Sequence, residues 1–195
     1  MFSTRRTARF VILVSVVIGT ISCAQPPDRE MQLAEGAIET ARAAGADRYA
    51  SVEFGAAVDA LERSRTAVAQ RDYRLALNHA LDSRERAQTA AKEATDARAA
   101  AQTEADRALN MATAALEQAR ASLKAAESAR LPARVIDPTA DTIDQFDRQV
   151  QEARTAFGKG EYGEATKGAS AATEALAALT RDLDAAMRPA TRRRR

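Results

Sequence analysis

Between Asp72 and Arg130 the chain runs 59 residues without a glycine or a proline. As one helix that stretch would be roughly 88 Å long. About a quarter of the whole chain is alanine, the strongest helix former, and glutamate, arginine, glutamine, leucine and lysine supply most of the rest here. The apolar spacing fixes the period. Tyr73, Ala76, Ala80, Ser83, Ala87, Ala90, Ala94, Ala97 and Ala101 alternate steps of three and four, which is a heptad seam. After Ala101 two steps of four follow, and the seam resumes as Ala105, Leu109, Ala112, Leu116, Ala119, Leu123 and Ala126. Such a skip unwinds a supercoil locally or marks a bend, so the stretch either runs straight or folds back near residues 101–105. A seam of small residues buries little area and must lie close to a partner helix to hold.

The rest of the chain has the punctuation of shorter helices. Asp28 is placed to cap a helix over 28–44 with Ala34, Ile38 and Ala41 on one face. Gly45 to Ala50 form a break, and Ser51 is placed to cap a helix over 51–70 with Phe54, Val58, Leu61 and Val68 on one side. Asp72 caps the long helix. Asp137-Pro138 reads as a cap followed by proline at the first helical position, starting a helix over 138–158 with Ile143, Phe146, Val150, Ala153 and Phe157 in register. Gly158 and Gly160 end it. A last helix over 161–187 carries Tyr162, Ala165, Ala169, Ala172, Leu176, Leu179, Leu183 and Ala186. Only 4% of residues are aromatic and none is Trp, so thin seams between helices suit this chain better than a thick core.

An internal repeat runs through these helices. Arg65-Thr66-Ala67, then Asp72-Tyr73 and Ala76, recurs 89 residues later as Arg154-Thr155-Ala156, then Glu161-Tyr162 and Ala165. The seam maps at the same offset, with Ala87, Ala90 and Ala94 onto Leu176, Leu179 and Leu183. Ala37 to Arg42 (AIETAR) and Ala115 to Arg120 (ALEQAR) look like an earlier part of the repeat. The expected architecture is all-α: elongated antiparallel helical hairpins in a coiled-coil-like bundle, built from a duplicated unit around one long central helix. The units are placed at 31–104 and 105–187, after residues 1–22 and a tether at 23–30, and before an arginine-rich tail at 188–195.

The first 22 residues hold Arg5, Arg6 and Arg9 and no acid, then an apolar run from Phe10 to Ser22. Thirteen residues suit a signal-peptide core rather than a membrane span. Thr20-Ile21-Ser22-Cys23 resembles the lipobox of bacterial lipoproteins, with Thr20 in place of the usual leucine. The resemblance implies that Cys23, the one cysteine, becomes the lipidated first residue of the mature protein. Ala24 then implies sorting to the outer membrane, facing the periplasm. The alternatives are an ordinary secretory signal, which would leave a soluble periplasmic protein, and a twin-arginine signal hinted at by Arg5-Arg6. Pro26-Pro27 supplies an extended tether. Without residues 1–22 the chain has 26 basic and 27 acidic residues, a net charge of −1, so a nucleic-acid-binding body is not indicated.

The acidic residue, tyrosine and alanine of each repeat resemble the hairpin turn of tetratricopeptide repeats. There the tyrosine wedges between helices and the alanine permits close packing, which implies wedge roles for Tyr73, Ala76, Tyr162 and Ala165. The rest of that 34-residue consensus is missing. Over residues 31–100, AIETARAAGADRYA, SVEFGAAVDALERSR and DYRLALNHA resemble the bacterial domain of unknown function numbered 4398. Its members are envelope lipoproteins, some fused to a peptidoglycan-binding domain like that of outer-membrane protein A, and no such domain follows here.

Chemistry-bearing patterns are sparse. His79 and Cys23 are each single, too few for an ordinary metal site. Gly158-Lys159-Gly160 lacks the remainder of a phosphate loop. Glu53, Asp59 and Glu62 have arginines at helical pairing distance. No catalytic residue, metal or cofactor is expected. Arg192, Arg193, Arg194 and Arg195 form either a contact for an anionic surface or a solubilising end. The function expected is that of a non-enzymatic, membrane-anchored envelope interaction or scaffold protein with a protein partner. The alternative is a self-associating, homo-oligomeric coiled-coil spacer.

Overall fold

The structure is a computed structural model and describes residues 25–188. The fold is all-α: α1 (Asp28–Ala43), α2 (Ala46–Tyr49), α3 (Ser51–Ala69), α4 (Tyr73–Ser128), α5 (Ala133–Gly158) and α6 (Tyr162–Met187). The contacts divide the chain into two compact units between Thr95 and Asp96, inside α4. The helix is nonetheless unbroken for 56 residues. It does not fold back near 101–105.

The first unit packs α1, α2, α3 and the first part of α4 around Ala34, Ile38, Ala41, Ala57, Leu61, Ala87, Ala90 and Ala94. Every seam residue expected on α4 here, from Ala76 to Ala94, is fully enclosed. The enclosed face of α3 differs from the one expected. It is Ala57, Ala60, Leu61, Ser64 and Ala67, while Val58 is 39% exposed and Phe54 and Val68 lie at the margin. The reason is steric. Ser64 and Ser83 donate their hydroxyls to the carbonyls of Ala76 and Ala57, each at 2.8 Å, which is possible only where small side chains let two backbones approach. The larger apolar side chains are left to flank that contact.

The second unit packs the last part of α4 with α5 and α6. Ala108, Leu109, Ala112, Val150, Ala153, Ala169 and Ala172 form one cluster. Leu116, Ala119, Ile143 and Leu176 form another. The close approach recurs: a Cβ placed on Gly168 would stand 3.4 Å from that of Ala153.

Four helix boundaries correct the sequence reading. Helix α5 starts at Ala133, not Pro138, with Pro132 preceding it and accepting from the N–H of Val135 at 2.8 Å. Asp137 is therefore not a cap, and Pro138 sits inside the helix. Its missing N–H removes one bond, to the carbonyl of Arg134, while the five residues gained bring Val135 and Ile136 into partial burial. Asp28 lies in the first turn of α1 behind Pro27. Ser51 makes no side-chain cap on α3. The 45–50 break contains the single turn α2, which buries Ala46 and Ala50. Asp72 does cap α4, accepting from the N–H of Leu75 at 3.0 Å. At the far end Ala186 is exposed.

The repeat is a repeat in backbone geometry. At Arg71 and Gly160, 89 residues apart, φ is 62° and 79°. Both turns carry the same two bonds, Arg71 N–H to Val68 and Asp72 N–H to Ala67, then Gly160 to Phe157 and Glu161 to Ala156, all between 2.9 and 3.0 Å. This is the closure in which a left-handed residue satisfies the last helical carbonyls. Arg130 (φ 59°) ends α4 in the same way that Gly45 (φ 85°) ends α1. Each unit is thus helix, left-handed turn, helix, left-handed turn, helix. The second has four more residues between its turns, about one helical turn.

Candidate interaction surfaces

The four residues expected as hairpin wedges sit at equivalent places. Ala76 and Ala165 are fully enclosed beside their turns. Tyr162 is 7% exposed and packs edge-on against Phe157, with ring centroids 5.4 Å apart. Tyr73 is only half-buried. Cys23, proposed for lipidation, and Arg192 to Arg195, proposed for an anionic surface, lie outside the described residues, as do the segments 1–22 and 189–195. Among the described residues no helix is long and apolar enough to cross a membrane.

The titratable side chains form surface pairs between helices. In the first unit Arg65 of α3 donates to Glu35 of α1 at 2.7 Å, and Arg86 of α4 donates to Glu53 of α3 at 3.0 Å and to Asp82 at 2.9 Å. In the second unit Arg120 of α4 donates to Asp147 of α5 at 2.8 Å. Hydrogen bonding from Glu35, and after it from Glu62, holds the Arg65 guanidinium above the ordinary arginine value; Asp82 and Glu53 do the same for Arg86. These side chains are roughly a third to a half or more exposed, so the pairs set register between helices more than they stabilise. Of the carboxylates considered as chemistry, Glu53 and Glu62 are engaged with arginines and Asp59 is exposed. His79 is half-buried on α4. No three His, Cys, Asp or Glu side chains come together in a metal-holding group among the described residues.

What the units present instead are helix faces and the clefts between them. A cleft of about 310 Å³ lies in the second unit, with Glu104, Arg107 and Met111 of α4 on one wall and Thr166, Ser170 and Thr173 of α6 on the other. Thr166 and Thr173 donate to their own helix at the carbonyls of Tyr162 and Ala169. Between Thr95 and Glu104, α4 has no buried residue, and its seam residues Ala97 and Ala101 are only partly covered.

Sequence reasoning did not anticipate the two serine bridges. The signal was present for one of them, because Ser83 occupies a seam position among alanines, where a hydroxyl must find an acceptor. The chain matches no model of a known protein family, no curated protein and no solved structure.

Proposed function

We propose that this chain is a non-enzymatic lipoprotein of the bacterial cell envelope. It is held on the periplasmic side of the outer membrane through Cys23 and binds a protein partner with the faces of its helical hairpins. The observation that carries the interaction role is the repeated unit itself. Two helix–turn–helix–turn–helix bodies enclose thin seams of alanine and turn charged faces outward in surface ion pairs. Helix faces of this kind recognise other helices through side chains at three-and-four spacing. The resemblance of Thr20 to Cys23 to a lipobox, and that of residues 31–100 to an envelope lipoprotein domain, supply the anchor and the compartment.

The test is labelling with radioactive palmitate and membrane fractionation of the native chain beside Cys23→Ser, followed by crosslinking in the outer-membrane fraction. Label on the native chain alone, with one protein crosslinked in stoichiometric yield, is the expected result. No label on either chain removes the anchor. Label without any crosslinked protein removes the partner.

A second reading is a self-associating spacer. It is favoured by the stretch Thr95–Glu104, where Ala97 and Ala101 continue the seam yet are not enclosed. Light scattering decides it, since a strict monomer removes this reading.

A further inference from the structure

The two units serve as controls for each other. Aligned on their turns, Gly45 falls on Arg130, and α1 corresponds to residues of α4 that lie 85 further along the chain. The α3–α4 hairpin corresponds to α5–α6 at an offset of 89. Burial supports the alignment: Pro27, Ala34 and Ala41 fall on Ala112, Ala119 and Ala126, and all six are buried.

Beyond Ala112 the correspondence stops. In the second unit α4 continues over the α5–α6 hairpin for two more turns and buries Ala105, Ala108 and Leu109. In the first unit the equivalent helix begins at Asp28. Pro26-Pro27 prevents it from extending, because a residue before proline is held out of the helical region. The matching turns of α3 and α4 therefore lack the helix that covers their counterparts. Exposure records the difference, since Tyr162 is 7% exposed and Tyr73 half-buried. The side chains have changed accordingly. The cleft wall of Thr166, Ser170 and Thr173 becomes Leu77, Leu81 and Arg84, and Leu81 is 46% exposed.

We propose that the groove bordered by Tyr73, Leu77 and Leu81 is the docking site of an amphipathic helix from a protein partner. That helix carries small apolar residues at three-and-four spacing, between acidic flanks. The second unit shows the shape of the occupant: α4 residues 104–112, EADRALNMA, with Ala105, Ala108, Leu109 and Ala112 inward. Charge gives the flanks. Arg74 and Arg84 are exposed beside the groove and enter no ion pair among the described residues, and the internal occupant brings Glu104 and Asp106. This names the site of the partner proposed above and rests on that reading.

The probe is a fluorescent, helix-stapled peptide of residues 101–114, titrated by anisotropy into the full chain carrying Cys23→Ser. Saturable binding is expected, about tenfold weaker for Leu81→Glu, an exposed position whose loss of a contact anchor is read directly. It is unchanged for Ser170→Glu, the equivalent position in the second unit. Arg84→Glu weakens binding, and a peptide with Glu104→Lys restores it. Circular dichroism of each variant guards against loss of fold. No binding, or binding indifferent to Leu81→Glu, overturns the proposal. So does binding to phosphatidylglycerol vesicles that Leu81→Glu abolishes while the peptide does not bind, because lipid would then be the occupant. Either failure leaves the palmitate and crosslinking results standing.

Discussion

Ser83 of α4 donates its hydroxyl to the carbonyl of Ala57 on α3 across 2.8 Å, with no solvent reaching the serine. Ser64 of α3 answers with the carbonyl of Ala76 on α4, also at 2.8 Å. The two bonds run in opposite directions across one antiparallel hairpin and hold its register. In the second unit the same positions are Ala153 and Ala172, both buried, so the register there rests on packing alone.

Ser83→Ala is expected to lower stability by about 1 kcal/mol, the net value of a buried hydrogen bond whose acceptor keeps its own helical partner. Ser83→Leu forces side-chain bulk between two backbones and costs about 1–3 kcal/mol or more. Urea denaturation of both variants checks the order. Equal losses would mean that the approach of α3 and α4 is looser than a serine bridge requires.

The turns make a prediction of opposite sign. Arg71 and Arg130 hold φ near +60°, a conformation that costs a residue with a side chain about 1–2 kcal/mol. Their counterparts Gly160 and Gly45 avoid that cost. Arg71→Gly and Arg130→Gly should each raise the melting temperature, corresponding to a gain of up to about 1 kcal/mol after the extra freedom of glycine in the unfolded chain is subtracted. Gly160→Ala should lower it.

Pro138 lies at the sixth residue of α5, where its N–H would have met the carbonyl of Arg134. Thr139 and Thr142 donate to the carbonyls of Val135 and Pro138, which leaves Arg134 without that bond. Pro138→Ala is expected to stabilise the helix by about 1–3 kcal/mol and to slow hydrogen exchange of residues 139–142. Unchanged exchange there would show that the first turns of α5 are already frayed.

Salt, not pH, should govern the ion pairs. The Arg65 pKa is raised by Glu35, so its contribution is fully present below the ordinary arginine value and is lost only above it, beyond any working pH. Glu35→Gln is expected to cost under about 1 kcal/mol at low salt and nothing measurable at 1 M, since both partners are about half exposed. A double-mutant cycle with Arg65→Gln at two salt concentrations measures it.

The helical seam was legible from spacing alone, because burial of one stripe forces the 3.5-residue period whatever the residues are; Ala76 to Ala94 and Ala105 to Ala126 are enclosed as expected. The repeat was legible from Tyr73 and Tyr162, since the turn that places them is a local structure. The buried face of α3 was not. Hydrophobic size pointed to Val58, whereas close backbone approach selected Ala57 and Ser64, and that choice depends on α4 across the hairpin. The start of α5 was misplaced for a related reason: Asp137-Pro138 is a sound local start signal, overridden by burial of Val135 and Ile136. The groove at Leu81 could not be read from residues alone, because it is defined by where α1 begins relative to a helix more than 80 residues away.

The interior of each unit is made largely of Cβ atoms. Such an interior tolerates almost any exchange on its outer faces and almost none at its seams, and what it preserves over time is the absence of bulk rather than any distinctive side chain. The two halves of this molecule illustrate the outcome: their turns match in geometry while serine has drifted to alanine, leucine to threonine and arginine to glycine around them. Kinship among proteins built this way is recorded in three-and-four spacing and in the placement of left-handed turns, and residue identity is the first part of the record to fade.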